Sequence, residues 1–291
     1  MKLIFTLLKH CYAYALTFIS VLLIGVTGLN AQVCSSPTTT IYGLNSNGTI
    51  YPISLSNANV GTKVNTPTGS PSQANGIGYN NLTNTFYYFN SSPTSSSGGA
   101  FVSYNATLNS YTTLATSPVR ATVHAGCVNF NGTGYYCTDV NGNLFYFNIA
   151  LNTWTTITSK IVDQSNNNVS TIIQTQNSGD MAIDGLGNLW ILTSSSSNWA
   201  LYEIKAPLPT TNLSSVSAVQ VIAPSSATPS GQSFQGIAFD PSGNMFLSTS
   251  GDYLYQLTTA SASSLTVIGK FNVSGVGNDL TSCSYPLGIL P

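Results

Sequence analysis

This sequence has very little charge. Among its 291 residues, seven are Lys or Arg and eight are Asp or Glu, which amounts to 5% of the chain; charged residues make up about a quarter of an average soluble domain. The basic residues are scattered singly, whereas a protein that binds nucleic acid clusters them to meet the phosphate backbone. The composition therefore argues against a nucleic-acid partner and leaves Ser, Thr and Asn to hydrate the surface.

Histidine and glutamate, two common catalytic side chains, are also scarce. Beyond residue 31 the chain has one histidine, His124, and one glutamate, Glu203. The stretch SPVRATVHAG around His124 has no nucleophile elbow, and the elbow motif G-x-S-x-G occurs nowhere in the chain. A glycosidase would need two carboxylates facing one cleft, and no acidic pair is singled out by its spacing. We therefore expect no catalytic residues and no enzymatic activity.

Long apolar runs are missing except for one at the N-terminus. This run extends from Cys11 to Val26, follows Lys2 and Lys9, and is succeeded by a segment that ends in the small residue Ala31. Such an arrangement is typical of a signal peptide, whereas a membrane anchor would need a longer run and a basic cluster after it. We predict a signal peptide over residues 1–31, a secreted or cell-surface protein, and no membrane span in the mature chain.

Cysteine is rare, and its number is informative. The chain has five cysteines, and cleavage after Ala31 would remove Cys11 and leave four. An even number in an exported protein indicates disulfides. A zinc site is the alternative, but the chain lacks a C-x-x-C pair and keeps a single histidine for it. A lipid on Cys34 would require a small residue before it, and Val33 is bulky.

The positions of the four cysteines suggest two pairs. Cys127 and Cys137 flank the turn 131–134 symmetrically, so that a hairpin would place them opposite each other. Cys34 and Cys283 would then join the two ends of the fold. We predict the disulfides Cys127–Cys137 and Cys34–Cys283 and no metal site.

Strand-like segments recur along the whole chain, and four of them share one plan. Each has an apolar strand rich in small residues, a polar turn and a second strand rich in aromatics; they span residues 75–90, 125–148, 180–193 and 235–257. Their turns are 51 to 56 residues apart, which is the period of a four-stranded propeller blade. Two further strand-like runs follow each pair, which predicts four blades over residues 75–271.

The two ends of the chain supply a fifth blade. Residues 40–54 and 62–66 read as its second, third and fourth strands, and residues 279–286 read as its first. Pro52 weakens its own strand, because proline donates no hydrogen bond to an inner ladder. We predict a single all-β domain over residues 32–291, a β-propeller of five four-stranded blades in which the two terminal strands close one blade. A β-sandwich is the alternative.

The blade segments carry a resemblance. GIAFDPSGNMFLST (236–249) and MAIDGLGNLWILT (181–193) resemble the blades of NHL-type and SMP-30-type propellers, and the chain as a whole is similar to secreted propeller-like proteins of Bacteroidota. Resemblance to SMP-30-type lactonases implies a metal in the central channel held by Glu, Asn and Asp. Glu203 departs from that pattern, because it falls in a third strand away from the channel.

The turn motif D-x-x-G-N occurs three times, beginning at Asp139, Asp184 and Asp240. A calcium loop would concentrate several carboxylates, and each of these turns has one. In a tight turn the Asp accepts backbone hydrogen bonds and the Gly adopts positive φ. We interpret the motif as turn chemistry; calcium is the weaker alternative, and we expect no cofactor.

The rare charges outside these motifs suggest one functional face. The loops that open on one side of a propeller would bring together Arg120, His124, Asp139, Asp180, Trp199 and Asp252, beside the long polar segment 159–179. Trp199 follows a run of serines, so we expect it to be exposed for stacking, whereas Trp154 should pack between blades. The hypothesis is a non-catalytic recognition module for a carbohydrate or a surface protein. The alternatives are a metal-dependent hydrolase and a structural part of a larger surface protein.

Overall fold

The computed structural model describes residues 33–69, 71, 73–90 and 98–289. The predicted signal peptide lies outside these residues. Within them, no helix is both long and apolar enough to cross a membrane.

In the described part of the chain, twenty strands form five sheets. Blade 1 consists of β1 (Thr40–Leu44), β2 (Ile50–Ser54) and β20 (Asp279–Thr281). Blade 2 consists of β3 (Asn75–Asn80), β4 (Thr85–Phe89), β5 (Phe101–Asn105) and β6 (Ser110–Thr113). Blade 3 consists of β7 (Val123–Val128), β8 (Gly134–Asp139), β9 (Leu144–Asn148) and β10 (Thr153–Thr158). Blade 4 consists of β11 (Ile161–Asp163), β12 (Ser178–Ile183), β13 (Leu189–Ser194), β14 (Asn198–Ile204) and β15 (Val216–Ala227). Blade 5 consists of β16 (Phe234–Phe239), β17 (Met245–Thr249), β18 (Tyr253–Leu257) and β19 (Leu265–Lys270).

The first strands of the blades (β20, β3, β7, β12 and β16) contact one another in a ring around a central axis. Both faces of a blade are therefore buried against neighbouring blades, which explains why its strands are apolar on both sides. In blade 3, for example, Tyr135 and Phe147 pack toward blade 2, while Tyr136 and Tyr146 pack toward blade 4. The five sheets make a five-bladed β-propeller, as the repeat predicts.

The ring closes where the two ends of the chain meet. β20 pairs antiparallel with β1, with Tyr42 opposite Thr281. The predicted disulfide between Cys34 and Cys283 is formed, with 5.4 Å between the two Cα atoms and 249 residues between them in sequence. A bond that closes so long a loop lowers the entropy of the unfolded chain and so favours the closed ring.

Blade 1 differs from the prediction in its outer strand. Residues 62–66 are not a strand, and only an isolated bridge between Ile53 and Val60 continues the ladder. The segment still follows β2, because Gly61 and Val64 donate their N–H groups to the carbonyls of Pro52 and Ile50 at 2.9 and 2.8 Å. Blade 1 therefore has three regular strands.

The predicted disulfide between Cys127 and Cys137 is wrong. Both cysteines are free and buried. The hairpin pairs Cys127 with Tyr136 and Gly126 with Cys137, one residue away from the register that would face the two thiols. A shift of one residue turns a side chain to the opposite face of the sheet. Cys127 accordingly packs between blades 3 and 4, and Cys137 packs between blades 2 and 3.

The polar segment 159–179 is more ordered than the sequence predicts. It contains β11, which pairs in parallel with β15, and a short helix α1 (Val169–Gln176). The side chain of Asn168 caps the helix by accepting the N–H of Thr171. Val169 and Ile173, one helical turn apart, are buried in the core between blades 3 and 4.

The D-x-x-G-N motif forms the turns that the sequence predicts. Asp184 Oδ1 accepts the N–H groups of Leu186 and Asn188, both at 2.9 Å, and Asn188 Nδ2 donates to the other carboxylate oxygen. Gly187 adopts a φ of +85° in this turn. A further copy at Asp163 lacks the glycine, and Asn166 takes the left-handed position in its place.

Candidate functional site

The residues of the predicted binding face have different partners in the structure. Arg120 is exposed between β6 and β7, and its guanidinium donates to the carbonyl of Ser117 at 2.9 Å. Asp139 belongs to a D-x-x-G-N turn and is buried. Asp252 accepts hydrogen bonds from Ser274 Oγ and the N–H of Gly275, both at 2.7 Å, and so ties two loops of blade 5 together. Each of these three side chains stabilises the loop in which it lies.

Trp199 lies in the core and not on a surface loop, which corrects the sequence-based expectation. It belongs to β14, where its side chain has no exposed area. Its ring packs edge-on against Phe234, 5.0 Å between centroids, and its indole N–H donates to the carbonyl of Ala227 at 3.1 Å. The serines before it form a tight turn, and the strand resumes at once with the aromatic turned inward. Trp199 therefore has no free face on which a ligand could stack.

His124 lies at one mouth of the channel. It begins β7 and lines a polar cavity of about 390 Å³ together with Asn75, Ser178 and Gln235. Burial lowers the pKa of His124 to about 4, opposed by the backbone of Ser178. The imidazole is therefore neutral at physiological pH, and its Nδ1 stands 3.5 Å from Thr138 Oγ1.

Two carboxyl groups converge inside the channel. Asp180 of β12 and Asp279 of β20 are both fully buried and lie next to each other. Asp180 Oδ2 accepts the N–H groups of Ile237 and Leu280 at 2.9 and 3.2 Å. Asp279 Oδ2 accepts the N–H of Ile77 at 2.6 Å. The pair therefore links the first strands of blades 1, 2, 4 and 5.

This arrangement follows from the geometry of a propeller. The first strand of each blade has one edge with no neighbouring strand, and its N–H groups point into the channel. Two hydroxyl groups also accept N–H groups of the inner strands. Thr281 Oγ1 accepts the N–H of Tyr79 at 3.1 Å, and Ser282 Oγ accepts the N–H of Phe239 at 2.8 Å. Side chains of the closing strand and the residue after it thus complete the inner edge of the ring.

Converging carboxyls are what a metal-dependent hydrolase in the channel would require. Here three of their four oxygens accept backbone N–H groups, and the space near Met181 and Tyr285 is a cavity of about 10 Å³. Within the described residues, no group of three or more His, Cys, Asp and Glu side chains is placed to hold a metal ion. Glu203 lies away from the channel and pairs with Lys205. The carboxyl pair therefore serves the inner edge of the ring.

A second cavity, an open groove, lies at the opposite end of β7. We call it the aromatic groove; its volume is about 480 Å³. Its lining includes Phe130, Thr133, Tyr136, Tyr146, Pro207 and Leu208. Among the described residues that line it, none is Asp, Glu, Lys, Arg or His. The groove therefore offers rings, methyl groups and amides to a ligand, and no charge.

The groove is shaped by two hairpins of neighbouring blades. Phe130 projects from the β7–β8 turn with 45% of its surface exposed, and its ring lies over Gly187 of blade 4, where a Cβ would come within 3.2 Å. Tyr146 lies across Gly134, where a Cβ would collide with its ring. The ring centroids of Tyr136 and Tyr146 are 5.0 Å apart, and the two rings form one wall of the groove. Two glycines therefore make room for the aromatic lining.

The two tyrosines remain neutral hydrogen-bonding groups. Burial, and next the neighbouring Tyr146, raise the pKa of Tyr136, and burial raises the pKa of Tyr146. Neither ring, nor that of Phe130, is among the binding residues predicted from the sequence. The exposed aromatic in the turn Asn129–Gly134 was the one signal that could have indicated a surface site.

Comparison with known proteins supports the fold. No protein-family model matches the sequence, and no curated protein matches it. Among solved structures, the chain is similar to one in a nidogen/laminin complex (TM-score 0.51, 12% identity, 84% of this chain and 81% of that chain). It is also similar to a protein of unknown function from Bacteroides thetaiotaomicron (TM-score 0.54, 13% identity, 86% of this chain and 62% of that chain). The chain has the β-propeller fold. At these identities the likeness concerns the fold alone.

Proposed function

We propose that this propeller is a non-catalytic extracellular recognition module and that it binds a neutral carbohydrate in the aromatic groove. The observation that carries the proposal is the lining of that groove, which combines an exposed Phe130 with buried tyrosines and with no charged side chain. An uncharged, partly aromatic concavity suits a ligand that has apolar C–H faces and neutral hydroxyl groups.

The chemistry of a sugar matches the two kinds of surface in the groove. The C–H face of a pyranose packs on an aromatic ring, and Phe130 supplies a ring of which nearly half is exposed. Amide and phenol groups can meet the hydroxyls, and Tyr136 and Tyr146 keep their protons because burial raises the pKa of each. The absence of charge in the lining disfavours phosphorylated or acidic ligands.

The size of the groove favours a small ligand over a protein surface. Its volume of about 480 Å³ lies within the range of ligand pockets, about 300–1,000 Å³. A stable protein partner would instead need about 800 Å² on each side.

An extracellular location is supported by two features. The disulfide between Cys34 and Cys283 belongs to an oxidising compartment, and the apolar N-terminal run Cys11–Val26 has the pattern of a signal peptide. The resemblance to secreted propeller-like proteins of Bacteroidota agrees with both. A carbohydrate at a cell surface is a ligand that such a protein would meet.

The test is an array of neutral oligosaccharides probed with three proteins. Wild type should bind members of the array, and Phe130→Ala should weaken that binding by about five- to thirty-fold, since a stacked ring contributes on the order of 1–2 kcal/mol. Leu82→Ala is the matched control, because Leu82 is 70% exposed in the corresponding turn of blade 2, outside the groove. If Phe130→Ala binds the oligosaccharides as tightly as wild type, the aromatic groove is not the binding site. No binding by wild type would favour a purely structural part.

We also expect no turnover of lactone, ester or aryl-glycoside substrates, with or without calcium, since the channel carboxyls are held by backbone N–H groups. Spectrophotometric assays with each substrate class check this. Turnover that Asp180→Asn or Glu203→Gln abolishes would instead support the metal-dependent hydrolase.

A further inference from the structure

If Asp180 and Asp279 were both ionised, one of their four buried carboxylate oxygens would have no hydrogen-bond donor. Asp279 Oδ1 is buried, and no N–H or hydroxyl donor reaches it within the described residues. Its neighbour in the channel is the carboxyl of Asp180. Two carboxylates accept hydrogen bonds and donate none, so a proton on one of them is needed to join the pair.

We propose that Asp180 and Asp279 share one proton and form a clasp that holds the closing strand β20 in the ring, and that this clasp weakens as the pH rises. With the proton present, one carboxyl donates to the other, and the remaining oxygens accept the N–H groups of Ile77, Ile237 and Leu280. Loss of the proton would place two like charges side by side in a buried site.

The position of the pair explains why it would matter for ring closure. β20 has only three residues, and its one strand partner is β1. On its other side it depends on the channel: Asp279 reaches β3, and the N–H of Leu280 donates to Asp180 of β12. The clasp therefore joins the last strand to two blades beyond its own. It acts on the same junction as the disulfide at Cys34 and Cys283, without a covalent bond.

Among the described residues, no basic side chain is a cause of the pKa shift of either carboxyl. The titratable groups facing it are Cys127 of β7 and Tyr135 of β8, and burial raises the pKa of each. In the described part of the chain, the neighbouring strands β3, β16 and β20 present backbone groups to it. Burial, followed by the charge of Asp279, raises the pKa of Asp180 well above its usual range, and burial raises the pKa of Asp279 to about 7.

The sign of the pH dependence follows from these directions. A carboxyl whose pKa is higher in the folded than in the unfolded protein favours folding at low pH, and this contribution is lost as the pH rises through the folded value. The stabilising contribution of the pair is therefore lost as the pH rises from about 4 to about 7 and above. His124 acts in the opposite direction between pH 6.5 and 4, because burial lowers its pKa. A variant that differs only at the clasp isolates its contribution.

Asp279→Asn is that variant. An asparagine amide has the shape of the protonated carboxyl: its oxygen can accept the N–H of Ile77, and its NH₂ group can donate to Asp180. We expect wild type and D279N to have similar stability at pH 5. As the pH rises from 5 to the pKa of the pair, the unfolding equilibrium of wild type should shift toward the unfolded state by up to about ten-fold per pH unit relative to D279N, and the difference should level off above that pKa.

The measurement is urea denaturation of the disulfide-bonded protein from pH 5 to pH 9. Asp252→Asn is the control, since Asp252 accepts two hydrogen bonds in an outer loop and should leave the pH profile of wild type unchanged. Parallel stability curves for wild type and D279N across this range would overturn the proposal.

A second measurement needs no folded variant. Carboxyl ¹³C NMR of wild type labelled at aspartate should show a buried carboxyl that keeps its proton at pH 6. If every aspartate titrates below pH 5, no proton is shared and the clasp does not exist.

Discussion

The channel and the aromatic groove lie at opposite ends of the first strand of blade 3, and they use polar groups in opposite ways. In the channel, two of the few acidic residues are buried, and their oxygens accept the N–H groups of the inner strands. In the groove, the described lining has no charge, and an aromatic ring stands partly in solvent. A carboxyl that completes the inner edge of the ring is occupied by backbone N–H groups, whereas the side chains that line the groove face open space, and the proposed binding site is therefore in the groove.

Removing a channel carboxyl should give the largest effect. Asp180→Ala would leave the N–H groups of Met181, Ile237 and Leu280 without their acceptor in a buried site. Because each unsatisfied buried donor costs about 1–3 kcal/mol, we expect the free energy of unfolding to fall by at least about 3–5 kcal/mol. Urea denaturation at pH 6 measures it, with Asp252→Ala expected to cost about 1 kcal/mol. Equal losses for the two variants would show that a carboxyl in the channel contributes no more to stability than one in an outer loop.

The tryptophans extend the comparison between closed and open regions. Trp199→Ala should lower the stability by about 3–5 kcal/mol, because the ring is wholly buried. Trp154 is half-buried among Phe89, Phe101 and Phe147, and its replacement by alanine should cost less, about 2–3 kcal/mol. Thermal melts of the two variants measure the order. A melting temperature of Trp199→Ala close to that of wild type would indicate that the ring of Trp199 is exposed and not buried.

Phe130→Ala should have the smallest effect on stability and still abolish most binding. Its side chain is 45% exposed, so we expect a change in stability within about 1 kcal/mol. The melting temperature and the affinity for a neutral oligosaccharide from the array should be measured on the same sample. A large loss of stability would mean that Phe130 holds blades 3 and 4 together. The lining of the groove would then be structural, as the carboxyls of the channel are.

The fold was predictable because each blade repeats its own local chemistry. Turns such as Asp184–Asn188 are specified by neighbouring residues, and they mark the blades at regular intervals. The ring-closing disulfide followed from the position of two cysteines at the ends of the repeat. The error at Cys127 and Cys137 arose from a single residue of register, which the length of a turn does not reveal unless its pairing is known.

The sites were harder to predict because each is assembled from distant segments. Asp180 meets Asp279 across 99 residues of sequence, and Phe130 meets Gly187 across 57. Nothing local distinguishes Asp180 from a surface carboxylate. Trp199 misled for the converse reason: the serines before it resemble a loose loop, but they form a turn that leads directly into a buried strand. Burial of this kind depends on which blades become neighbours.

The bond between Cys34 and Cys283 also determines how the propeller would respond to mechanical force. The two Cα atoms are 5.4 Å apart, although 249 residues of chain separate them. Tension applied to the segments that flank the propeller would pass directly from one cysteine to the other through the sulfurs. The hydrogen bonds that Tyr285 and Pro286 make with blades 2 and 4 would carry load first. The blades between the two cysteines would unravel under tension only after the disulfide had been reduced.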